Sequence, residues 1–336
     1  MDLRFLPSPN VLARAGGVSM RRSLVSVVVE TINARSESGN GALCESVAPT
    51  MQALQRQTLP REMFEQILVL DTYVAACDAE EVHRRWPEVK LVSSLKSGYF
   101  VAKDAGAAAA NGKFVAFVDS DCVPDQDWLE KIVAPFTPEV SAVGGRTRYA
   151  GDSPLARVLS VPDFGYILAE RDGSGSGFNF SNVAFRRDVF LSHPLDSRLH
   201  RDGGCYLLYH QLIAEGARVL NEPRAIVHHG FDPGLRALIR KHYQRGYAGV
   251  LAYRVDDRQV FAGTGLYRRL GAISLFPITV RRTLRDWLRM LRHRRQIGIS
   301  RSKLPFFCCL AATTRTIELA GGLAAAVASA ESRNQR

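Results

Sequence analysis

Residues 114–124 read FVAFVDSDCVP, an uncharged apolar run that leads directly into two aspartates. The run Phe-Val-Ala-Phe-Val suits a strand that is buried on both faces, as in a parallel sheet. Asp119 and Asp121 follow it, separated by one serine, and Pro124 favours a sharp turn. Ligands of open α/β sheets bind at the carboxyl ends of the strands. The stretch therefore predicts an α/β fold with a ligand site at the two aspartates.

Similar apolar runs occur three times before residue 114, and helical patterns separate them. The runs are 24–29, 66–71 and 89–94, and helices are predicted around 43–54, 79–86, 102–110 and 125–136. Asp125 is the predicted N-cap of the last of these helices. The alternation predicts a Rossmann-like open sheet with helices on both faces. Further along, 142–149 predicts a strand, and 217–230 predicts two strands separated by a turn at Pro223.

Composition places the chain among ordinary globular proteins, with one marked bias in charge. Its 336 residues are 46% hydrophobic and carry a formal net charge of +11, which indicates an anionic partner. The six cysteines form no CxxC pair, which favours a reduced cytoplasmic setting. Residues 1–22 lack the apolar region of a secretory signal, and we expect a flexible leader there.

The two aspartates need a positive group near them, because carboxylates so close together repel each other. Mg²⁺ and Mn²⁺ prefer oxygen ligands, and Mg²⁺ is usually held by one or two carboxylates together with substrate phosphates. Asp71 ends the second predicted strand at the same edge of the sheet. The constellation predicts a metal ion that binds a diphosphate. Taken alone, the DxD pattern also fits an ordinary turn or helix cap.

Four stretches together resemble the family 2 glycosyltransferases of GT-A fold. They are VSVVVET at 25–31, ILVLD at 67–71, KDAGAAAANGKFVAFVDSDCVPDQDWL at 103–129, and SNVAFRRDVF at 181–190. The third is the most specific, since it spans the helix, the strand and the DxD of that family. The resemblance covers about residues 24–230. It implies a catalytic domain at 23–230, with a nucleotide-binding half at 23–140 and an acceptor half at 141–230, followed by a basic helical extension at 231–336.

The resemblance also implies roles for individual residues. The nucleotide sugar would be bound by Thr31, Asp71, Lys103, Asp104, Asp119 and Asp121. Asp121 would also bind the metal, with His228 as a further contact to metal or diphosphate. Asn182 would line the acceptor side.

The chain departs from the family's pattern at the catalytic base. In the family, the base is the Asp of a Glu-Asp pair about a dozen residues before a glycine like Gly216. In this chain, Gly204-Cys205 stands at that position. Asp202 is the nearest carboxylate and would serve as the base if the loop shifts by three residues. It fits a simple helix N-cap equally well, so a base elsewhere and a loss of activity both stay open.

The implied function is a metal-dependent, inverting glycosyltransferase that uses Mg²⁺ or Mn²⁺. It would move a sugar from a UDP- or GDP-linked donor to a glycan or lipid-linked acceptor. One rival is a haloacid-dehalogenase-like phosphatase with Asp119 as nucleophile. FVAFVDSDCV fits that family's motif, in which hydrophobic residues precede DxDxV. The family, however, carries this motif on its first strand. The other is a degenerate, membrane-associated protein that binds sugar nucleotides without a base.

The end of the chain predicts contact with an anionic membrane surface. Nine Arg and Lys residues lie between 280 and 303 with Asp286 as the single acid. An apolar helical stripe accompanies them, formed by Val280, Leu284, Trp287, Leu288 and Leu291. Such basic amphipathic helices lie on membrane surfaces, which would place the protein peripherally on the inner face of the plasma membrane.

The segment that follows, 304–330, is apolar but contains Arg315 and Glu318, which are costly in lipid. We therefore expect it to be interfacial or re-entrant. The alternative is that both segments pack on the catalytic domain. No nucleic-acid reader motif is visible, and no nucleic-acid partner is expected.

Overall fold

The structure is a computed structural model of the chain. It describes residues 23–34, 42–74, 76–151, 156, 159–160, 163–164, 173–196, 198–199, 203–230, 234–259, 261 and 263–334. The predicted leader at 1–22 and the candidate base Asp202 lie outside these residues.

A mixed eight-stranded sheet organises the described residues. Its strands are β1 (Val25–Glu30), β2 (Phe64–Leu70), β3 (Lys90–Ser93), β4 (Phe114–Phe117), β5 (Cys122–Pro124), β6 (Val140–Tyr149), β7 (Val183–Arg186) and β8 (Arg218–His229). They are arranged in the order β3-β2-β1-β4-β7-β6-β8-β5. The first four strands run parallel, whereas β7 is antiparallel to both of its neighbours and β5 is antiparallel to β8.

Helices cover both faces of this sheet. They are α1 (Ala42–Gln55), α2 (Ala76–Arg85), α3 (Tyr99–Ala109), α4 (Trp128–Val133), α5 (Arg187–Leu191) and α6 (Gly204–Ala214). The helices that follow are α7 (Leu235–Val255), α8 (Thr264–Leu270), α9 (Leu275–Arg292), α10 (Arg294–Ile297) and α11 (Leu304–Asn334), and α7, α9 and α11 pack on one another. Val27 and Val29 of β1 join the core under α1, α2 and α4, and Val28 joins the core under α3, α5 and α6. Burial on both faces explains the continuous apolar runs. The predicted open α/β sheet is confirmed.

Two local predictions were wrong. The segment 217–230 is one strand, because Pro223 lies in a bulge: Gly145 of β6 pairs with Glu222 and Arg146 pairs with Ile226. A bulge accepts proline, which has no N–H to donate to the ladder. Asp125 is not the cap of α4, which begins at Trp128, and its carboxylate contacts His228 instead.

The C-terminal helices are joined by buried ion pairs. Arg315 of α11 donates to Asp286 of α9 at 2.8 Å and to Glu318 at 2.6 Å. His242 of α7 lies 3.3 Å from Glu318. Burial alone would raise the pKa of Glu318, but Arg282 and Arg315 hold it below its ordinary value.

The segment 304–330, which was predicted to be interfacial or re-entrant, forms these buried ion pairs. Residues 304–330 lie within the single continuous helix α11, and the two charges that argued against lipid are paired inside the protein. In the described part of the chain, no helix has both the length and the apolar character needed to cross a bilayer.

Candidate active site

The turn that carries the two aspartates is anchored from both faces of the sheet. From α3, Lys103 donates to Asp119 at 2.6 Å and the Tyr99 hydroxyl donates to the same carboxylate at 2.8 Å. From α1, the Thr50 hydroxyl lies 2.8 Å from the Ser120 carbonyl and 2.7 Å from the Cys122 carbonyl. The turn is therefore held rigidly at the carboxyl end of β4, as a preorganised site requires.

The two aspartates have different surroundings. The Asp119 side chain is 5% exposed and forms a buried ion pair with Lys103. The Asp121 side chain is 30% exposed, and its carboxylate lies 3.6 Å from Nε2 of His229. Asp121 is thus the carboxylate of the pair that a ligand in solution can reach.

The paired histidines at the end of β8 face opposite sides of the sheet, because side chains alternate along a strand. His229 lies beside Asp121 and contacts the rings of Tyr149 and Phe164. His228, the predicted metal contact, lies 2.9 Å from the Asp125 carboxylate. The structure therefore brings the neighbouring histidine, and not His228, to Asp121.

Asp121, Cys122 and His229 are close enough together to hold a metal ion. A carboxylate suits Mg²⁺ or Mn²⁺, and an imidazole nitrogen adds a donor that transition metals accept. Burial raises the pKa of the Cys122 thiol, and thiols suit softer metals than Mg²⁺ or Mn²⁺. The residues fit a divalent ion held by Asp121 and His229.

A second polar cluster lies where β1 and β2 end. The Thr31 hydroxyl accepts from the Asp71 amide at 2.9 Å. The Asp71 carboxylate accepts from the Ser97 hydroxyl at 3.1 Å and from the Gly98 amide at 3.3 Å. The predicted pair Thr31 and Asp71 is therefore brought together, at the same edge of the sheet as Asp119.

Lys103 and Asp104 are adjacent on α3 but point to different partners. Lys103 is fully buried against Asp119, and the rings of Tyr99 and Phe117 lie near its ammonium group. Asp104 accepts from the Leu195 amide at 3.2 Å. Burial raises the pKa of Asp104 to about 6, although the Leu195 amide opposes this.

The raised pKa of Asp104 gives a testable pH dependence. The unfolded chain loses this proton near pH 4 and the folded chain near pH 6, so the wild type loses stability as pH rises between them. Asp104→Asn cannot ionise. The free energy of unfolding of this variant, relative to that of wild type, should therefore be higher at pH 7 than at pH 4. Urea unfolding at both pH values measures this, with Glu62→Gln on the surface as control. An equal difference at the two pH values would contradict it.

Asn182, the predicted acceptor residue, is fully buried and engaged in the core. Its Oδ1 accepts from the Trp128 indole at 2.8 Å, and its Nδ2 donates to the Ala225 carbonyl at 3.0 Å. A Cβ on Gly145 would lie 2.1 Å from Oδ1 of Asn182, so residue 145 has to be glycine. These contacts join β7 to the bulge of β8 beneath the site.

Gly204 stands where the family has its Glu-Asp pair, and it packs closely against Phe100. Gly204 begins α6, and a Cβ built on it would lie 2.2 Å from the Phe100 ring. A larger residue at 204 would require Phe100 to move. An acidic side chain at this position is therefore incompatible with the present core, and Asp202 is the nearest carboxylate in sequence.

Three residues of the site were not predicted: Thr50, Tyr99 and His229. The first two act through contacts between elements distant in sequence, which local patterns do not reveal. His229 carried a signal, since it is one of two adjacent histidines, but motif spacing selected the other.

Comparison with known proteins agrees with this geometry. The model of the glycosyl transferase family 2 matches residues 26–192. A pre-mycofactocin glycosyltransferase of Mycobacterium tuberculosis is 31% identical over 242 residues, covering 64% of this chain and 49% of the relative. A glucosyl-dolichyl phosphate glucuronosyltransferase of Haloferax volcanii is 26% identical over 55% of this chain and 64% of its own length. The chain thus spans about half the length of the mycobacterial relative.

Among solved structures, a mannosyltransferase of Pyrobaculum calidifontis, in complex with GDP-Man and Mn²⁺, has a similar fold. The TM-score is 0.57 at 15% sequence identity, over 90% of this chain and 87% of the other. The predicted GT-A fold is confirmed.

Proposed function

Because the chain belongs to glycosyl transferase family 2, we propose that it moves a sugar from a nucleoside-diphosphate sugar to an acceptor hydroxyl. The observation that carries the proposal is the rigid DxD turn, which leaves Asp121 accessible beside His229 at the carboxyl edge of the sheet. A UDP- or GDP-linked donor has the diphosphate that such a site would bind. The GDP-Man in the archaeal mannosyltransferase supports that donor class.

Each polar cluster has a part in binding the donor. We assign Thr31 and Asp71 to the nucleoside, since they lie together at the ends of β1 and β2. Asp119, fixed by Lys103 and Tyr99, would position the turn beneath the ribose or sugar. Asp121 and His229 would hold Mg²⁺ or Mn²⁺, and that ion, when bound, would act as a Lewis acid on the leaving diphosphate.

The acceptor must lose a proton as it attacks the anomeric carbon. We assign this step to Asp202, the carboxylate nearest in sequence to the position where the family carries its base, because a carboxylate can serve as the general base. Attack from the face opposite the diphosphate inverts the configuration, which is what the family resemblance implies. We propose a glycan or a lipid-linked acceptor, used on the cytoplasmic face of the plasma membrane. The six cysteines are free thiols, which supports a reducing compartment.

The phosphatase alternative is disfavoured by the surroundings of Asp119. A nucleophilic carboxylate has to be accessible, whereas this one is buried and bonded to Lys103 and Tyr99. The degenerate binding protein differs from the transferase in one respect only, which is the base.

Release of nucleoside diphosphate from UDP- and GDP-sugars, measured with Mn²⁺ and a panel of acceptors, tests the proposal. We expect turnover by wild type and a loss of 10²–10⁴-fold in Asp202→Asn, the usual contribution of general acid–base catalysis. Asp257→Asn, at an exposed surface position, is the control. Wild-type rates in Asp202→Asn would place the base elsewhere. Nucleotide binding without turnover by wild type would favour the degenerate protein.

A further inference from the structure

One face of α9 exposes a continuous row of apolar side chains. We call it the apolar stripe. It consists of Ile273, in the turn just before α9, and of Phe276, Val280, Leu284, Leu288 and Leu291 on the helix itself. The last four are 58%, 49%, 65% and 55% exposed, although residues of this type usually lie in the core. Their spacing of three or four residues places them on one side of the helix.

The opposite face of α9 is the one that packs. Ile278, Asp286 and Met290 are buried there. Asp286 pairs with Arg315 of α11, and Met290 packs with Phe307 of the same helix. Trp287, which the sequence placed on the stripe, is half-buried and donates to the Cys308 carbonyl at 2.9 Å. The packing of α9 is therefore complete without the apolar stripe.

Positive charge is concentrated in the same part of the chain. Residues 264–303 contain eleven Arg and Lys residues and one acid, so these forty residues carry +10 of the net charge of +11. Arg281 lies one turn from Leu284, and Arg292 lies one turn from Leu288. Both are exposed, as are Arg268, Arg269, Arg295, Arg301 and Lys303.

We propose that the apolar stripe and the exposed cations around it dock this protein on an anionic lipid bilayer, with α9 lying in the membrane interface. Leucine and phenylalanine side chains enter the boundary between headgroups and acyl chains, and arginines attract anionic headgroups. A nucleic acid would use the cations but leave the row of aliphatic side chains in water. The charge density around the stripe favours a bilayer over a second copy of the chain, because two such faces would repel each other.

Sedimentation with lipid vesicles tests this contact using the full chain. The probes are vesicles of phosphatidylcholine alone and vesicles containing phosphatidylglycerol, at low and high salt. We expect wild type to bind the phosphatidylglycerol vesicles and to dissociate at high salt. The triple variant Val280→Asn/Leu284→Asn/Leu288→Asn should bind about fiftyfold more weakly or worse, because it removes the apolar anchor.

Matched variants separate the two contributions. Arg281→Gln/Arg292→Gln should weaken binding about fivefold for each arginine removed. The control for the stripe is Leu95→Asn/Leu191→Asn/Ile213→Asn, which changes exposed apolar residues elsewhere. The control for charge is Arg56→Gln/Arg84→Gln, also at exposed positions. Both controls should bind within about twofold of wild type, and circular dichroism verifies that every variant is folded.

Three outcomes would overturn the proposal. Wild type that fails to bind phosphatidylglycerol vesicles at low salt rules it out. A stripe variant that binds like wild type would show that charge alone attracts the protein. A wild-type dimer that the stripe variant dissociates, without vesicle binding, would make the stripe an interface between copies of the chain. Docking does not depend on the proposed sugar transfer, so a failure of either leaves the other standing.

Discussion

Replacing Lys103 by methionine is expected to lower the free energy of unfolding by about 3–5 kcal/mol, because it leaves a buried carboxylate without its partner. The Lys103 ammonium is fully buried and lies 2.6 Å from Asp119, whose side chain is 5% exposed. Methionine fills a similar volume, so the loss comes from the unpaired charge and not from a cavity. Chemical denaturation at pH 7 measures the difference.

The double variant Lys103→Met/Asp119→Asn identifies the cause. It also removes the unpaired charge of the Asp119 carboxylate, so the double variant should be clearly more stable than Lys103→Met alone. Lys96→Met, at an exposed position, should change stability by less than about 0.5 kcal/mol. A destabilisation below about 1 kcal/mol in Lys103→Met would mean that the pair does not hold the turn.

Removing either proposed metal donor, by Asp121→Asn or His229→Ala, is expected to lower the rate of sugar transfer at least about 100-fold. Lewis-acid stabilisation of a leaving group contributes several kcal/mol, and each 1.4 kcal/mol corresponds to a factor of ten. Initial rates over a range of Mn²⁺ concentrations measure the loss. High Mn²⁺ should restore part of the His229→Ala rate, since Asp121 remains as a ligand.

Matched controls lie on the other side of the same strands. His228→Ala and Asp125→Asn remove a pair whose atoms lie 2.9 Å apart on the face away from Asp121. Both variants should keep transfer within about tenfold of wild type and leave its Mn²⁺ dependence unchanged. Equal losses in His228→Ala and His229→Ala would contradict the assignment of the metal donor.

The sequence was a good guide to the parallel half of the sheet. β1, β2 and β4 are buried on both faces, so each appears as an unbroken apolar run that local patterns detect. Asp71 follows β2 and Asp119 lies two residues after β4, and these positions led to the prediction of a ligand site at this edge of the sheet. The resemblance supplied the family, which similarity over residues 26–192 then supported.

Where the structure departs from the sequence predictions, the causes are physical. The bulge at Pro223 adds three residues to β8 relative to β6, so the proline that suggested a turn lies within one strand. His229 lies beside Asp121, and motif spacing did not distinguish it from His228. Asn182 is polar in sequence, yet its partners Trp128 and Ala225 lie far along the chain. The partners of Arg315 and Glu318 are likewise distant, so their burial was not apparent from the segment itself.

Calorimetric titration of wild type and Asp121→Asn with GDP and UDP, each with and without Mn²⁺, tests the central claim most directly. If a divalent ion on Asp121 binds the diphosphate, wild type will bind one of the nucleotides more tightly in Mn²⁺ and the variant will lose that gain. Binding of neither nucleotide by folded wild type in Mn²⁺, or an equal Mn²⁺ effect in Asp121→Asn, would contradict the claim.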